Sequence, residues 1–508
     1  MSVSPYSNVA LTRSAAHFLT GKIASALLTL TILLWLVRLL SVEEYGAYVT
    51  LVAGMELTLA LTSLGLPWVA ARYLPEFRLY ASGKILAHFV WQVIVRLGLF
   101  LIAGLLLLFA LVPWFLASLD LAQHTDVAKL YLLVLLMEGL GRNIRDYILG
   151  PLLQQGPAQI SLATRNLTML LLLGMVVLQG TVHLDHVVLV ELAASMLGTI
   201  LAFRALVRYL QVHRDLPGKD GWQPQKWRDM WRIARHMYFN HLVTLAYSPQ
   251  AFIFLIQRYV GLEATALFGF LRSLYTQISN YLPATLLFSL IRPKLIASYV
   301  GEGGVGELTR NANLAGKLSL FVLMPVLIFV WVVDGELLSL LSGGKFTGAG
   351  YYLGGLLLAL IPFSQRQILE TVAVANDMSH ICSWAGLLGA LALPLAYGLV
   401  ESGLGLWGPI IAMIVGQMIF NATLIAAMAH TNTYRPDTIG FLKLAAAALA
   451  GFMMTQQVAT PTHGWSGLLI AAVIGCSLYL LASYFLKPFQ VEERARLNRL
   501  LKRRVFVW

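Results

Sequence analysis

The sequence predicts an all-α integral membrane protein that crosses a lipid bilayer about fourteen times. Hydrophobic residues make up 58% of the 508 positions and charged residues only 12%, and the mean hydropathy is +0.74. Soluble domains average roughly 45–50% apolar and about 25% charged residues, so this chain has too few polar side chains to cover a water-facing surface. Apolar runs of about 20 residues, the length that spans a bilayer, also recur along the whole chain.

The apolar runs divide into two series, with a polar stretch at 213–235 between them. The first series lies near residues 16–40, 45–70, 87–112, 127–149, 159–181 and 187–210. The second lies near residues 237–259, 265–291, 314–334, 351–373, 380–400, 406–429, 438–458 and 465–487. Pro249 is expected to interrupt the seventh span, because proline removes a helical hydrogen bond. The first run lacks a small-residue cleavage site, so we expect a membrane helix and not a signal peptide.

The positions of lysine and arginine predict the orientation. If the N-terminus is inside, the densest groups of these residues, at 204–235 and 487–504, fall on the cytoplasmic side, where the positive-inside rule places them. The opposite side keeps little beyond Arg38, Lys129, Arg258 and Lys345. Both termini are therefore expected to be cytoplasmic. The net charge of +12 follows from this topology, so no nucleic-acid partner is expected.

Two basic segments outside the spans have amphipathic patterns. In 225–238, Trp227, Met230, Trp231 and Ala234 share one helical face, and arginines occupy another. The tail after residue 488 sets leucines among arginines in the same way. Both segments are predicted to lie in the cytoplasmic interface and to contact membrane lipids. Contact with an anionic lipid-linked substrate is the alternative.

Several function classes lack support in the sequence. Cys382 and Cys476 both fall within apolar runs, and no pair of Cys or His has metal-ligand spacing. No phosphate-binding loop of the Walker type occurs. No loop exceeds about 30 residues, which leaves no room for a soluble catalytic domain. We therefore expect no metal, no cofactor and no enzymatic activity.

A short pattern occurs in both series and predicts an internal repeat. Arg38-Leu-Leu-Ser-Val-Glu43 closes the first span, and Arg258-Tyr-Val-Gly-Leu-Glu263 closes the seventh. Because both halves are expected to start inside, the repeats are parallel, related by an axis along the membrane normal. The predicted organisation is a six-helix lobe at 1–212, a cytoplasmic amphipathic linker at 213–236, a second six-helix lobe at 237–430, two extra transmembrane helices at 431–488, and a basic amphipathic tail at 489–508.

The first of these stretches also resembles a known family. Arg38-Leu-Leu-Ser-Val-Glu-Glu-Tyr-Gly-Ala-Tyr48, followed by Leu64-Gly-Leu-Pro67 and Arg72-Tyr-Leu-Pro-Glu76, is similar to the start of polysaccharide-biosynthesis proteins of the O-antigen (Wzx-type) flippase group. That group belongs to the multidrug/oligosaccharidyl-lipid/polysaccharide (MOP) exporter superfamily, with MATE-type drug exporters and lipid II flippases. The motif residues cover only about the first 80 positions, whereas the helix count agrees over nearly the whole chain.

The resemblance implies a MATE/MOP-like pair of lobes in a V and alternating access. The implied substrate is a polyprenyl-diphosphate-linked oligosaccharide, moved from the cytoplasmic to the outer leaflet of a bacterial cytoplasmic membrane for O-antigen, capsule or exopolysaccharide assembly. Membrane lipids and other polysaccharide-assembly proteins are the further partners that it implies. In the family the first, second, seventh and eighth helices line a central cavity.

Polar and ionisable residues on those helices are the candidates for binding the glycan headgroup, because such residues are costly in a membrane and usually face a cavity or a partner. Arg272 in the eighth span is the first candidate for the diphosphate. The other predicted cavity residues are Tyr275, Gln277, Asn280, Asn240, His241, Tyr247 and Gln250. The alternative for Arg272 is a side chain that snorkels toward the outer interface. For His241 the alternative is a structural role.

Glu56, in the middle of the second span, is the candidate for ion coupling, since protonation of an intramembrane carboxylate can follow the proton gradient. A structural ion pair is the alternative. Near the inner end of the fourth span, Glu138, Arg142, Arg145 and Asp146 include i, i+4 pairs. We interpret them as a structural salt-bridge ladder, with a substrate site as the alternative. Weaker candidates are Arg165, Glu191, Arg366, Glu370 and Asp377.

Two other functions are weighed against a flippase. A cation-coupled multidrug exporter of MATE type would favour a carboxylate-rich pocket for organic cations, whereas the candidate residues here are at least as cationic as anionic. A membrane-embedded polysaccharide polymerase or ligase is the alternative from the enzyme class. Relatives of O-antigen polymerases carry a large periplasmic loop with arginine-rich motifs, and the predicted outer loops here are short and nearly devoid of arginine.

Overall fold

The structure is a computed structural model that describes residues 8–286, 304–333, 335–376, 378–458, 464–501 and 504–508. Asp377, one of the weaker candidates, lies outside the described residues. All regular secondary structure in these ranges is helical, which confirms the all-α class. The chain forms two compact units, Met1–Leu245 with Ile253–Ala266 and Ala246–Phe252 with Leu267–Trp508.

The first unit is a bundle of helices packed around apolar side chains. Its helices are α1 (Asn8–Leu39), α2 (Val42–Thr62), α3 (Leu66–Tyr80), α4 (Gly83–Ser118), α5 (Thr125–Arg142) with a π-helical extension (Asn143–Leu149), α6 (Gln155–Gln179), α7 (Leu184–Val212) and α8 (Trp227–Leu245). The rings of Phe77 on α3 and Phe89 on α4 stack at 4.1 Å within the buried core. Two further helices, α9 (Pro249–Tyr259) and α10 (Leu262–Tyr281), contribute residues to both units.

The second unit contains the helices that follow. They are α11 (Pro283–Leu286), α12 (Gly304–Val333), α13 (Gly335–Ser342), α14 (Gly350–Leu358), α15 (Leu360–Ala375), α16 (Ser379–Gly389), α17 (Ala392–Leu399) with a π-helical end (Val400–Leu404), α18 (Trp407–His430), α19 (Thr438–Val458), α20 (Gly464–Leu486) and α21 (Val491–Leu501). Phe420 and Leu424 on α18 pack against Leu369 and Val372 on α15 in its core.

Eleven helices among the described residues are long and apolar enough to cross a membrane. They match the predicted spans except the fourth, the eighth and the tenth, so the count of about fourteen is not confirmed. In those three regions lie α5, α10 and the α14–α15 pair. Each carries buried charge: Glu138 on α5, Arg272 on α10 and Arg366 on α15. In the fourth and tenth spans the shortfall reflects charged side chains and a helix break. The eighth predicted span extends beyond residue 286, where the described part of the chain stops, so only its helix α10 and the short α11 are described.

The two copies of the repeated pattern occupy equivalent helix junctions. In the first, α1 ends one residue after Arg38 and α2 begins one residue before Glu43. In the second, α9 ends one residue after Arg258 and α10 begins one residue before Glu263. The two junctions therefore share the spacing of their helix ends, but their backbones differ, because Ser41 has a φ of −59° and Gly261 a φ of +112°. The internal repeat itself stays a prediction.

Two glycines of the family-like motifs allow helices to approach closely. Gly46 on α2 lies against Leu262, and a Cβ at position 46 would come within 2.7 Å of the Leu262 carbonyl oxygen. Gly65, in the turn between α2 and α3, has a φ of +84°, and a Cβ there would lie 2.7 Å from the carbonyl oxygen of Ala234 on α8. Glycine is favoured at both positions, because any larger residue would push the two backbones apart.

The amphipathic segment 225–238, predicted to lie in the membrane interface, packs its apolar face against protein. It forms the first turns of α8, which runs on to Leu245 without a break. Its apolar face is buried in the first unit, where Met230 and Ala234 join the core. The ring of Trp227 packs against Phe89, and the guanidinium of Arg96 lies 4.0 Å from the Trp227 ring centroid. The apolar face is thus explained by protein contacts, which a single helix pattern cannot distinguish from lipid contacts.

The C-terminal tail also packs on protein. Phe489 and Phe506 are buried and contact the ring of Phe321 on α12. The indole Nε1 of Trp508 donates a hydrogen bond to the Leu480 carbonyl at 3.0 Å. The tail is therefore anchored to α12 and α20 by these aromatic side chains, and its placement in the lipid interface stays a prediction. The two last membrane helices, α19 and α20, also pack directly against α12.

Candidate functional site

The predicted residues on α10 occupy two faces of that helix. Arg272 and Tyr275 are buried, at 9% and 7% exposure, and lie one turn apart. Gln277 and Asn280 are half-buried and share a neighbouring face. A side chain that snorkels would be exposed at the surface, and the burial of Arg272 speaks against that alternative. Arg272 and Tyr275 form one polar strip, and the amides form another.

The residues predicted on the seventh span fall into different units. Asn240 and His241 lie on α8 in the first unit, whereas Tyr247 and Gln250 belong to the second. The helix ends at Leu245 and a new one begins at Pro249, so the interruption predicted at the proline is confirmed. The ring of His241 lies 5.2 Å from the Trp68 ring on α3, a contact that agrees with a structural role.

The first unit buries a network of ion pairs centred on Glu138 of α5. Its Oε1 accepts a hydrogen bond from Arg145 Nη2 at 2.8 Å, and its Oε2 lies 2.8 Å from Arg165 Nε. The Arg165 Nε–H donates to Ser195 Oγ at 3.3 Å, so its contact with Glu138 is an ion pair and not a hydrogen bond. A carboxylate this deeply buried is stable only because guanidinium groups surround it.

The network continues from Arg165 to three further helices. Arg165 Nη2 donates to Glu191 Oε1 on α7 at 2.9 Å, and Tyr48 on α2 donates to Glu191 Oε2 at 3.1 Å. Asn166, beside Arg165 on α6, donates to Thr29 on α1 at 3.0 Å. The polar groups therefore connect α1, α2, α5, α6 and α7 across one layer of the bundle. Arg165 and Glu191, which were weaker candidates, are central members of this network.

The network becomes partly exposed near Glu56, the predicted coupling residue. Arg142 Nε lies 3.6 Å from Glu138 Oε1, but its side chain remains 37% exposed. Asp146 on the π-helical extension is exposed. Glu56 on α2 is half-buried and interacts electrostatically with Arg142. Glu56 is therefore connected through Arg142 to the buried ion pairs, and the salt-bridge ladder expected from local spacing is one part of a larger structure.

The second unit buries a smaller cluster around Arg366 on α15. Arg366 Nε donates to Glu370 Oε1 at 2.9 Å, and its Nη1 donates to Gln417 Oε1 on α18 at 3.4 Å. The guanidinium carbon lies 4.1 Å from the Phe420 ring centroid and 5.2 Å from that of Tyr247. Aromatic faces stabilise a cation by their quadrupoles, so this cluster holds the arginine with only one carboxylate beside it.

The two clusters occupy corresponding places in the two series of helices. Glu138 and Arg145 lie in the fourth helical region of the first series, and Arg366 and Glu370 lie in the fourth of the second. Both regions are irregular, because α5 passes into a π-helix at Asn143 and the α14–α15 pair breaks at Ala359. π-Helical segments and breaks in membrane helices frequently mark functional sites. The sequence signal for these clusters was an acidic and a basic residue within the fourth apolar run of each series.

Sequence reasoning missed a third cluster, at Lys317. Its ammonium group, fully buried on α12, contacts Glu493 on α21 and lies 2.7 Å from Asp437 Oδ2 in the segment before α19. Burial by itself would raise the pKa of Asp437, but the hydrogen bonds from Lys317 and from the Gly440 N–H hold that pKa below its ordinary value. The acidic partners lie 120 and 176 residues further along the chain, so no local spacing indicates them.

Comparison with known proteins identifies the family. A family model described as polysaccharide biosynthesis protein matches residues 11–286, more than half of the chain. The chain belongs to this family. The matched region includes Glu56, the Glu138 network and Arg272, and it ends before Lys317 and Arg366. No curated protein matches the sequence.

Solved structures share the fold of this family member. One, described as "Lipid II flippase MurJ, inward closed conformation", has a TM-score of 0.71 at 15% identity, covering 96% of this chain and 99% of that one. An inward-facing multidrug resistance MATE family transporter of the MOP superfamily has a TM-score of 0.58 at 14% identity, with 80% and 95% covered. A MOP superfamily transporter from Pyrococcus furiosus, described as having a binding pocket of reverse polarity, has 0.52 at 14%, with 82% and 93% covered. These likenesses confirm the predicted MATE/MOP-like fold class.

The chemistry available in this family member is that of binding. Guanidinium groups offer several N–H donors in a fixed fork, which matches phosphate oxygens. Buried arginines occur in both units, and hydroxyl and amide groups accompany them on α10. Within the part of the chain that the structure describes, no three His, Cys, Asp or Glu side chains lie together as a metal site.

Proposed function

We propose that this chain is a flippase that moves a polyprenyl-diphosphate-linked oligosaccharide from the cytoplasmic to the outer leaflet of a bacterial cytoplasmic membrane. Membership of the polysaccharide biosynthesis family carries this proposal, together with the eleven helices among the described residues that are long and apolar enough to cross a membrane. A glycan is too polar to enter hydrocarbon, so synthesis that starts inside and ends outside requires a protein path for the headgroup. The likeness to a lipid II flippase supports it at the level of fold.

In this proposal Arg272 binds the diphosphate. Its burial on a polar helix places a permanent cation away from bulk water, where an anionic oxygen attracts it more strongly. Tyr275, Gln277 and Asn280 supply hydrogen-bonding groups for phosphate or sugar oxygens, and Tyr247 and Gln250 are further candidates in the same unit. Asn240 and His241 are separate candidates in the first unit. Alternating access would expose these groups first to one leaflet and then to the other, while the polyprenyl tail stays in lipid.

Glu56 is proposed to couple transport to the proton gradient. As a carboxylate it attracts Arg142, and protonation would remove that attraction. Because Arg142 also contacts Glu138, loss of the Glu56 charge would leave the arginine more tightly held by the buried network. The two protonation states would then favour different arrangements of α2 and α5, which is the requirement for a coupling residue.

A multidrug exporter is the second candidate, because the fold likeness extends to MATE transporters. Such an exporter binds organic cations, and carboxylates would carry that task. The Glu138 network contains two carboxylates, Glu138 and Glu191, whereas the Arg366 cluster contains one, Glu370. Arg366 in the second unit has one carboxylate and two aromatic rings around it. These groups stabilise the guanidinium of Arg366 itself. Because Arg366 and Glu370 pair one to one, this cluster leaves no carboxylate for an organic cation, which argues against the exporter.

The test is a deletion strain of the source organism, from which lipids are extracted and polyprenyl-diphosphate-linked glycans are assigned to a leaflet. We expect intact repeat units to accumulate on the cytoplasmic face. An Arg272→Ala copy should fail to clear them, with at least about a tenfold loss of flipping, since hydrogen bonds to charged groups contribute roughly 1.5–3 kcal/mol. The matched control is Arg228→Ala, which removes an exposed arginine from α8 and should clear the glycans normally.

Two results would overturn the proposal or part of it. If the deletion strain has normal lipid intermediates and becomes sensitive to cationic drugs, the chain is an exporter. If the glycans accumulate but Arg272→Ala clears them as well as Arg228→Ala does, the chain is a flippase whose diphosphate site lies elsewhere.

A further inference from the structure

A groove in the second unit lies where the last membrane helix meets the C-terminal tail. It has a volume of about 1010 Å³ and is bounded by α20, α21 and the final residues of the chain. Four of its lining side chains are cationic: Lys487, Arg494, Arg499 and Arg504. Tyr484 and Phe506 add aromatic surface. None of the described residues that line the groove is acidic, so its charge favours an anion.

The groove has fixed walls. The chain turns at Lys487, which has a φ of +47° and lies between the end of α20 and the start of α21. The tail is then held against α21 by the side chain of Asn498, which donates to the Phe506 carbonyl at 2.9 Å and accepts from the Phe506 N–H at 2.8 Å. The Trp508 indole secures the end of the chain to Leu480. Arg504 is thereby placed across the groove from the arginines of α21.

One arginine in the wall retains an unused donor. Arg494 Nη1 donates a long hydrogen bond, 3.4 Å, to the Val507 carbonyl. Its Nε is buried and has no hydrogen-bond partner among the residues that the structure describes. A buried N–H without a partner is costly, and an acceptor oxygen from a bound anion would satisfy it. The groove therefore combines a net positive charge with a donor that lacks its acceptor.

The position of the groove specifies the kind of anion. Tyr484 lies in the last turn of α20, a helix long and apolar enough to cross a membrane, and Lys487 follows directly after its end. Aromatic and basic residues at the end of such a helix lie at the level of lipid headgroups. Leu481, Tyr484 and Phe485 are exposed at 47%, 48% and 72% on one face of the helix, which offers a path for acyl chains below the basic groove.

We propose that this groove binds the phosphate-bearing headgroup of an anionic phospholipid, with Arg494, Arg499 and Arg504 around the phosphate and the acyl chains along α20. The site is separate from the proposed substrate residues on α10, and it does not depend on the flippase assignment. A lipid held there binds the tail to the membrane end of α20. The tail then contributes to membrane anchoring through its arginines, while its apolar face is buried in the protein.

The test is native mass spectrometry of the full chain in detergent, with phosphatidylglycerol or phosphatidylcholine added and inorganic phosphate as competitor. We expect phosphatidylglycerol to be retained and phosphatidylcholine not. Arg499→Gln combined with Arg504→Gln should weaken retention roughly thirtyfold, since each basic residue near an anionic surface contributes about fivefold. Both side chains are exposed, so folding of the tail should be unaffected. An Arg494→Gln variant should weaken retention as well, because it removes the buried donor.

The matched control is Lys226→Gln combined with Arg228→Gln, which removes the same charge from an exposed part of the first unit. It should retain phosphatidylglycerol as the unmodified chain does. Equal loss in both double variants would mean non-specific charge attraction and would overturn the proposal. Displacement of the lipid by millimolar inorganic phosphate, with no preference for phosphatidylglycerol, would identify a free-phosphate site and also overturn it.

Discussion

The ammonium group of Lys317 lies 2.7 Å from Oδ2 of Asp437, and the lysine side chain is fully buried. A second carboxylate, from Glu493, contacts the same nitrogen, and the Pro488 carbonyl lies 3.4 Å away. These three partners come from the segment before α19 and from the tail. A charge in the middle of a helix bundle therefore connects α12 to two other parts of the second unit.

Replacing this lysine should destabilise the second unit. In Lys317→Met the carboxylates of Asp437 and Glu493 lose their cation, and breaking a buried pair costs about 3–5 kcal/mol. The measurement is thermal unfolding of the purified protein in detergent. Lys226→Met, an exposed lysine in the first unit, is the control and should change little. The account fails if adding Asp437→Asn and Glu493→Gln to Lys317→Met restores no stability, because those changes remove the unpaired charges.

The same cluster predicts an acid-dependent loss of stability. The pKa of Asp437 is lower in the folded protein than its ordinary value of 3.8, because Lys317 and Gly440 donate hydrogen bonds that outweigh the effect of burial. A lowered folded pKa stabilises the protein at pH values above the ordinary one and ceases to do so as the pH falls through the folded pKa. Unfolding measured between about pH 6 and pH 3 should therefore show stability falling at the acidic end. Asp437→Asn should flatten that fall, and an unchanged slope would contradict the assignment.

The helices and their junctions were accessible from the sequence, whereas the partners of the buried charges were not. Apolar length located eleven of the predicted spans among the described residues, and the pattern at Arg38 and Arg258 marked two helix junctions of equal spacing. Spacing also indicated Arg142 as a partner of Glu138, but the shorter contact is to Arg165 on α6, 27 residues further along the chain. Local periodicity records which residues share a face. It does not record which protein or lipid surface that face meets, and for this reason both amphipathic segments were assigned to the membrane interface.

Glu138 should be much more important for stability than the partner that spacing predicts. In Glu138→Gln the buried guanidinium groups of Arg145 and Arg165 lose a carboxylate, at a cost of about 3–5 kcal/mol. Arg142→Gln removes a side chain that is partly exposed, and the loss should stay below about 1 kcal/mol. The measurement is thermal unfolding of Glu138→Gln and Arg142→Gln under the same conditions, which compares their losses of stability. Similar losses for both would mean that the network is a surface ladder after all.

Gly65 should tolerate no side chain, for two separable reasons. Its φ of +84° disfavours any L-residue, by about 1–2 kcal/mol, and a Cβ would also lie 2.7 Å from the Ala234 carbonyl oxygen. Gly221→Ala isolates the first cost, because Gly221 has a φ of +77° with nothing within 4 Å of the added carbon. Gly65→Ala should therefore destabilise the protein by about 1–3 kcal/mol more than Gly221→Ala, since α8 must move. Equal effects would show that the approach of α8 to this turn is loose.

A substitution at Glu56 can distinguish a role in proton coupling from a role in packing. Under the proposed function, Glu56→Gln imitates the protonated state, so transport of the lipid-linked oligosaccharide in proteoliposomes should no longer respond to a pH gradient. Thermal stability should change little, because Glu56 is half-buried and Arg142 keeps its contact with Glu138. The control is Glu76→Gln, which removes a carboxylate that pairs with an exposed arginine, Arg72, at 3.8 Å and should leave the response intact. If Glu56→Gln lowers the melting temperature and still responds to the gradient, the residue is a structural partner of Arg142, and the coupling ion acts at another position.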